Sequence, residues 1–532
     1  MEYDYIVTGA GSAGCVIAAR LSEDADARVL LLEAGGSDDN RLFHIPAGFA
    51  KMTKGIASWG WSTVPQRQMR DRVFWYTQAK VLGGGSTINA QVYTRGDPAI
   101  YDVWKSDFGC EGWGYDEVLP YFRKAEQNQS FVDRYHGSDG PMGVSEPLAP
   151  LPIAYAFLRA AQQYGIPYNR DFNGARTLGC GFYQLTQKDG RRSSTARAHL
   201  ALARARKNLT VITGAEAAQV IVQNGRAIGV RYSNTSGMEE ARAEREVVVT
   251  SGAIGSPRLL LLSGIGPAAH LREVGVEVVH DLPGVGENLH DHMDVFAICA
   301  CSGPYSYDRY ARPQYAAWAG LQYYMFKRGP AASSLFETGA FWHSEPGGPT
   351  DLQFHFGQGS GIEAGVAAMK DGGVTLNGAY VQPRSRGTVR LASSDPADAP
   401  LIDPNYWAED DDRRRSMEAL RVLRDILRQP ALAPFLDGER LPGPDVRSDD
   451  DIVAYLCANA KTQHHPVGAC RMGHGEMAVV DPQLRVHGID GLRVCDSSVM
   501  PRVCASNTNA ATIMIGEKAA DLIRGNRAAA AS

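Results

Sequence analysis

The chain has 532 residues, 44% of them hydrophobic and 21% charged, with a formal net charge of -5. That length exceeds a single compact core and implies two or more lobes of an ordinary globular enzyme. No basic run or face is present, which argues against nucleic acid as a partner, and no stretch approaches the roughly 20 apolar residues of a membrane span. The N-terminus runs straight into a strand, without the basic start and cleavage site of a signal peptide, so the expected location is the cytoplasm. Nine cysteines are scattered singly with no CxxC pair, as expected of buried thiols in a reducing compartment.

In chain order, residues 5–8 read as a strand, followed by Gly9-Ala10-Gly11-Ser12-Ala13-Gly14. Residues 15–22 read as a helix and 28–33 as a second strand, together a β-α-β unit that opens a doubly wound sheet. Residues 40–80 are rich in Gly, Pro and aromatics without clear periodicity, the mark of a functional excursion. Residues 130–150 also read as loop, and 193–207 as helix. Strand signals follow at 209–212, 220–222 and 228–230, with Asn224-Gly225 marking a tight hairpin turn, and a further buried strand at 246–250. Residues 295–460 read mainly as a substrate lobe inserted between cofactor segments. The tail from Arg524 is expected to be frayed.

The Gly9-x-Gly11-x-x-Gly14 pattern gains force from its place between a strand and a helix. Gly9 allows the tight turn, Gly11 lets backbone approach a pyrophosphate, and Gly14 lets helix and strand pack closely. With Ser12 and Ala13, the helix N-terminus offers unpaired N–H groups to the phosphates. Glu33, followed by Ala34, ends the second strand where an acid can hold a ribose hydroxyl, which disfavours NADP. FAD and NAD share this fingerprint. A second Gly-rich loop, residues 79–90, carries Gly83, Gly84 and Gly85 in a row. Such a run suits backbone lying against a flat ligand, or a plain loop.

From Ala79 to Asn89, and on to Asp102, the sequence resembles the first signature of the glucose–methanol–choline oxidoreductase family. Residues 252–266 resemble the second signature. The blocks at 464–473, 496–501 and 507–509 then follow in the family's order, so the resemblance runs almost end to end, nearest the choline-dehydrogenase-like bacterial branch. It implies an α/β (α+β) protein: a Rossmann-like, doubly wound FAD-binding domain with an inserted antiparallel-sheet substrate domain. The first would comprise residues 1–45, 75–110, 190–294 and 461–532, the second 46–74, 111–189 and 295–460. FAD would bind extended, with Gly83, Gly84, Thr87, Asn89, Ala90 and Val92 near the flavin and the backbone of Ala217 at the adenine. Asp496 and Ser497 would hold the ribityl–phosphate part, and Asn507 and Thr508 the ring. Some relatives attach FAD covalently through a His in the Gly-rich loop; Ile88 stands there, so the FAD is expected to be non-covalent.

Oxidation of an alcohol to the aldehyde or ketone needs a base for the hydroxyl proton, and His suits this best near neutral pH. The residues alone do not choose among thirteen histidines. The resemblance selects His465 as general base, with hydride passing to flavin N5, and Asn507 as the group that holds the substrate oxygen. His464 either lines the pocket or packs. His290 and His292 form a His-x-His pair, but a metal would need further ligands, and none is expected; His292 reads as structural, near the flavin. Cys470 replaces the family's usual Thr and is a candidate for oxidation. Of the aromatics between Ser302 and Trp342, most are expected in the core and some at the pocket. Glu337 either faces a cationic alcohol or is a buried structural acid. Relatives that react well with oxygen often carry an apolar residue two places before the catalytic His. Gln463 stands there, favouring a quinone or dye acceptor. The alternatives are an oxidase, a hydroxynitrile-lyase-like enzyme on the same fold, and a flavin-binding protein without turnover. The oligomeric state is left open.

Overall fold

The computed structural model describes residues 2–52, 55–360, 369 and 372–525. The tail expected to fray lies outside the described residues from 526 onward. In chain order the elements that matter here begin with β1 (Glu2–Thr8), α1 (Ser12–Leu21) and β2 (Val29–Glu33). Then come β3 (Gly179–Phe182), β4 (Leu209–Thr213), β5 (Glu216–Gln223), β6 (Arg226–Asn234), β7 (Gly237–Val249) and α2 (Gly252–Leu262). The middle of the chain supplies β8 (Met293–Cys301), α3 (Pro313–Phe326), β9 (Phe336–Trp342), β10 (Leu352–Gly357), β11 (Gly373–Tyr380) and α4 (Asp410–Leu427). Last are β12 (Leu436–Leu441), β13 (Lys461–Thr462), β14 (Leu492–Val494) and α5 (Asn509–Ile523).

Two seven-stranded sheets organise these elements. The first runs β4-β2-β1-β7-β6-β5, with β14 also paired to β7. Its centre is parallel, Ile6 lying opposite Leu30 on one side and Val247 on the other. Every residue of β2 is buried, which is why it reads as an unbroken apolar run. Asn224 and Gly225 both take positive φ, 51° and 76°, the geometry of the tight hairpin between β5 and β6. The second sheet is wholly antiparallel and runs β12-β8-β11-β10-β9-β3, with β13 also paired to β8. Residues 461–462 therefore pair with the second sheet, while 492–494 return to the first.

Packing around α1 sets the cofactor side. Its helix begins already at Ser12, inside the glycine motif, and only Arg20 of its residues is not buried. α5 lies across it, and the buried Glu517 of α5 accepts from Arg20 at 2.8 and 2.9 Å and pairs with His199 at 3.1 Å. These partners overcome the cost of burial and hold the Glu517 carboxyl down to about 2. Losing Arg20 would weaken the compensation of a buried charge, a change that costs about 3–5 kcal/mol when the loss is complete.

Some expected elements change. The helix expected over 193–207 is confined to a π-helical turn, Ala196–Leu200, running into Ala201–Ala203. Ahead of it, the N–H of Ser193 donates to the Thr186 carbonyl and that of Thr195 to the Ser86 hydroxyl, tying this flank to neighbouring loops. Residues 130–150 are loop except for a strand at Met142–Val144. The aromatics of 302–342 do not favour the core. Tyr307, Tyr323, Phe336 and Phe341 are buried, Tyr310 and Trp342 are intermediate, and Tyr305, Tyr315, Trp318, Tyr324 and Phe326 are exposed, the last four because α3 buries only Ala319 and Tyr323. All nine cysteines are free and buried. Burial lifts the Cys470 thiol well above its usual range, so it is not a reactive thiolate.

A Cβ added at Gly14 would stand 1.9 Å from the Gly9 carbonyl oxygen, so α1 reaches β1 only without a side chain there. Gly14→Ala is expected to lower stability by about 2–4 kcal/mol and to reduce bound cofactor, read from thermal unfolding and from the visible absorbance of the purified protein.

Candidate active site

A cavity of about 350 Å³ lies between the two sheets' lobes. Three helix N-termini converge on it. Gly11, Ser251 and Thr508, the residues preceding α1, α2 and α5, all line the wall, and none caps its helix with a side chain. Their positive helix ends meet the cavity, although the Gly252 N–H of α2 is taken by Asp496, which makes a setting for an anionic group such as a pyrophosphate. Ser12 donates its hydroxyl to the Asn509 side chain at 2.7 Å, locking two of these termini together.

The two glycine-rich loops meet backbone to backbone. The Gly83 N–H donates to the Ala10 carbonyl at 2.7 Å, and Gly84 sits at φ 52° so close that an added Cβ would lie 2.7 Å from Gly11 Cα. Beyond them, Glu33 accepts from the N–H groups of Ala10 and Gly35 at 2.9 and 2.8 Å. Each carboxylate oxygen keeps a lone pair for a ribose hydroxyl. Burial pushes the Glu33 carboxyl up to about 7, against those two hydrogen bonds and the pull of Lys80. Asp496 accepts from the Gly252 N–H at 2.8 Å, the Ser256 hydroxyl at 2.5 Å and the Ser498 N–H at 2.8 Å, fastening the start of α2.

Most of the residues singled out from the sequence come together here. Gly9, Gly11, Ser12, Ala13, Glu33 and Ala34 line the cavity, as do Gly84, Asn89, Ala90 and Val92. So do Ala217, Asp496, Ser497, Asn507, Thr508 and His465. Gly14, Gly83 and Thr87 lie behind the wall instead: Gly14 abuts the Gly9 carbonyl, the Gly83 N–H faces Ala10, and the Thr87 hydroxyl turns inward to the Leu82 carbonyl at 2.7 Å. Ile88 presents hydrocarbon to the cavity, with no nucleophile for a covalent link.

At the other end stands a relay of side chains. His292 Nε2 lies 3.1 Å from the Val381 carbonyl, so it donates, and His292 Nδ1 is left as an acceptor. His465 Nδ1, 3.1 Å away, must then carry a proton and donate to it. His465 Nε2 is consequently bare, and it accepts from Asn507 Nδ2 at 3.2 Å. The Asn507 amide oxygen in turn accepts from Gln353 at 2.9 Å, Thr94 at 3.2 Å and His355 at 3.4 Å, which sets the amide's orientation. Burial, with smaller repulsion from His292, His355, His464 and Lys461, holds His465 well below 6.5. His292 is lowered to about 3 by burial, opposed by its bond to Val381. His465 is therefore neutral at physiological pH, its Nε2 lone pair unprotonated and contacted by the Asn507 amide.

Asp291 anchors this pair from behind. One of its oxygens accepts from the backbone N–H groups of His292 and His465, both at 2.8 Å. The other accepts from the hydroxyls of Tyr76, Tyr406 and Thr462. The sequence reading did not single out Asp291, nor the roles of Gln353 and His355; a polar residue beside His292 was the one available sign. His464, at φ 60°, lines the cavity. His290 donates from Nδ1 to the Asn288 carbonyl and accepts the Val503 N–H at Nε2, so both of its nitrogens serve the backbone. Glu337 is buried beside Gln358 and does not line the cavity, whereas its neighbour Phe336 does, as alternation along β9 requires. The excursion at 40–80 supplies Phe49, Trp59 and Trp61 to the wall, the two tryptophans stacked at 4.7 Å.

The chain matches the family models for GMC oxidoreductases at residues 3–294, the N-terminal part, and 383–516, the C-terminal part. The chain belongs to the GMC oxidoreductase family. It is 42% identical over 529 residues to an alcohol dehydrogenase [acceptor] of Pseudomonas putida, covering 98% of this chain and 95% of the relative. It is 40% identical to the mitochondrial choline dehydrogenase of Mus musculus, covering 99% and 90%. Among solved structures, pyridoxine 4-oxidase from Mesorbium loti superposes with a TM-score of 0.90 at 30% identity, covering 99% and 100%. A formate oxidase from Aspergillus oryzae RIB40, studied for modification of its FAD, gives 0.93 at 25% identity, covering 98% of each. This GMC oxidoreductase is an FAD-dependent enzyme acting on the CH–OH group of alcohols, and its cofactor is held non-covalently. No helix among the described residues is long and apolar enough to cross a membrane.

A base works in its unprotonated form, so if His465 serves as one, its depressed pKa moves the acid limb of the activity profile downward. The rate of flavin reduction by alcohol is expected to stay level as pH falls through 6.5, with its half-point clearly lower, in a stopped-flow pH series. Asp291→Asn places an amide donor against groups that are all donors. It is expected to lower kcat about 10–100-fold with little change in KM, measured on enzyme that retains its FAD.

Proposed function

We propose that His465 is the general base that takes the alcohol's hydroxyl proton at Nε2. The single observation that supports this is the hydrogen-bond chain from the Val381 carbonyl through His292 to His465, which leaves that nitrogen bare and aimed at the cavity beside Asn507. FAD held in this cavity would supply the hydride acceptor, at N5, for oxidation of the alcohol carbon to the aldehyde or ketone. Asn507 Nδ2 has a second hydrogen besides the one given to His465, and that hydrogen holds the substrate oxygen as charge develops on it. The Glu33 carboxylate holds the ribose, the termini of α1, α2 and α5 hold the phosphates, and Ala217 meets the adenine.

The substrate is an uncharged alcohol whose carbon skeleton packs on Phe49, Trp59, Trp61 and Phe336. The four carboxylates of the wall are already engaged: Glu33 and Asp496 by backbone N–H groups, Glu216 by Lys80 and Arg258, and Asp294 by Lys461 at 2.8 Å. Lys80 already places its ammonium 4.0 Å over the Trp59 ring, and Lys461 lines the cavity. Choline is the second reading, favoured by the aromatic wall and by the choline dehydrogenases among the relatives.

The acceptor is a quinone or dye. Support comes from the Gln463 amide on the cavity wall and from the name of the Pseudomonas putida relative; the oxygen-dependent choline dehydrogenases of similar identity carry the opposite indication. One experiment addresses the whole reading: anaerobic mixing of FAD-loaded enzyme with a panel of alcohols, choline included, followed by re-oxidation with oxygen or with a dye. Alcohol should bleach the flavin, and His465→Ala should slow bleaching about 10²–10⁴-fold while the FAD content is unchanged. Aldehyde release without bleaching would identify a lyase, and an undiminished rate in His465→Ala would remove the base assignment.

A further inference from the structure

We infer that α3 and the basic groups around it form a docking surface for an anionic lipid membrane. Only Ala319 and Tyr323 of this 14-residue helix are buried. Tyr315, Trp318, Leu321, Tyr324, Met325 and Phe326 are all exposed, Trp318 by 57%, Tyr324 by 74% and Phe326 by 68%. A helix that is apolar around most of its circumference yet buried on one narrow stripe needs a cover over the rest. The helix is nonetheless fixed to the protein. The Tyr323 hydroxyl donates to the His44 carbonyl at 3.2 Å, and Lys327 Nζ donates to the carbonyls of Tyr323 and Tyr324, closing the C-terminal turn.

Charge chooses the cover. The chain as a whole carries -5, yet between Asp308 and Glu337 there is no acidic residue, while Arg309, Arg312, Lys327 and Arg328 flank the aromatic surface. Asp308 is occupied by the Ser360 hydroxyl and the Gly373 N–H. The hairpin packed on Lys327 adds exposed Lys188 and Arg191, with Asp189 as its one acid. Trp and Tyr rings ringed by Lys and Arg match the interface of a bilayer bearing anionic headgroups. A helix this short lies in the plane of the interface rather than spanning it. A second copy fits less well, since two-fold pairing of this face would set the basic groups against one another. The face also adjoins the site: the turn Pro330–Ala332 packs on Pro46–Gly48, next to Phe49 of the cavity wall. The inference does not depend on the alcohol or acceptor proposed above.

The test is co-sedimentation of FAD-loaded enzyme with vesicles of phosphatidylglycerol and phosphatidylethanolamine, against vesicles of phosphatidylcholine alone. The enzyme should bind the anionic vesicles at least about tenfold more tightly. A Trp318→Glu, Tyr324→Glu, Phe326→Glu variant and an Arg312→Gln, Lys327→Gln, Arg328→Gln variant should each lose about tenfold or more of that binding. Both should keep alcohol-driven reduction of a water-soluble dye, which shows that they fold. Wild-type enzyme left in the supernatant with anionic vesicles overturns the inference, as do variants that bind undiminished. Wild-type dimers that the triple Glu variant dissolves, without vesicle binding, overturn it in favour of a second copy.

Discussion

The proposed reacting end of this enzyme hangs on one buried carboxylate. Asp291 has no counter-ion among its hydrogen-bond partners; it is satisfied by two backbone N–H groups and three hydroxyls. Its partners come from four separated parts of the chain: Tyr76 in the excursion, His292 just before β8, Tyr406 before α4, and Thr462 at the end of β13 with His465 beyond it. A buried carboxylate is tolerated only when its acceptors are filled, so each of these segments must arrive for any to be stable. That demand fixes the backbone of both imidazoles before their rings meet, and the Val381 carbonyl then decides which nitrogen carries the proton.

The cofactor end follows a different logic, in which groups are left unsatisfied. Three helix N-termini reach the cavity without side-chain caps, and two glycine loops touch so closely that Cβ atoms are excluded between them. Uncapped helix ends cost stability unless something else takes their N–H groups. In the function proposed here, the FAD phosphates take that place. The two ends thus differ: positive helix ends face the cavity at one, and hydrogen bonds fix the ring nitrogens of both imidazoles at the other.

The cofactor end was largely legible in the sequence because its chemistry is local. Glycines 9, 11 and 14 sit on one turn, and Glu33 ends the next strand, so short-range spacing carries the information. Packing adds what spacing does not carry: Gly83 and Thr87 share the loop that faces the cavity, while their polar groups bond Ala10 and Leu82. The proposed catalytic pair was reachable only through family resemblance. His465 and Asn507 stand 42 positions apart, and neither reveals a partner in its own neighbourhood. Asp291 had only its place beside His292 as a sign, and Gln353 and His355 had none, since polar residues of a strand read as ordinary polarity until burial is known. The aromatic run of 302–342 was read chiefly as core because apolar residues usually are; α3 instead leaves most of its rings outside.

The order of residues alone determined a dinucleotide-type β-α-β opening, the parallel centre of the first sheet, the Asn224-Gly225 hairpin and the identity of the family. Those features depend on backbone conformation and contacts within a few turns of chain. Only the tertiary structure decided which nitrogen of His465 is bare, which wall residues are already neutralised, that Glu337 faces away from the cavity, and that Trp318, Tyr324 and Phe326 lie uncovered. Proton position, charge compensation and exposure are properties of distant groups brought together, so no local pattern could have carried them.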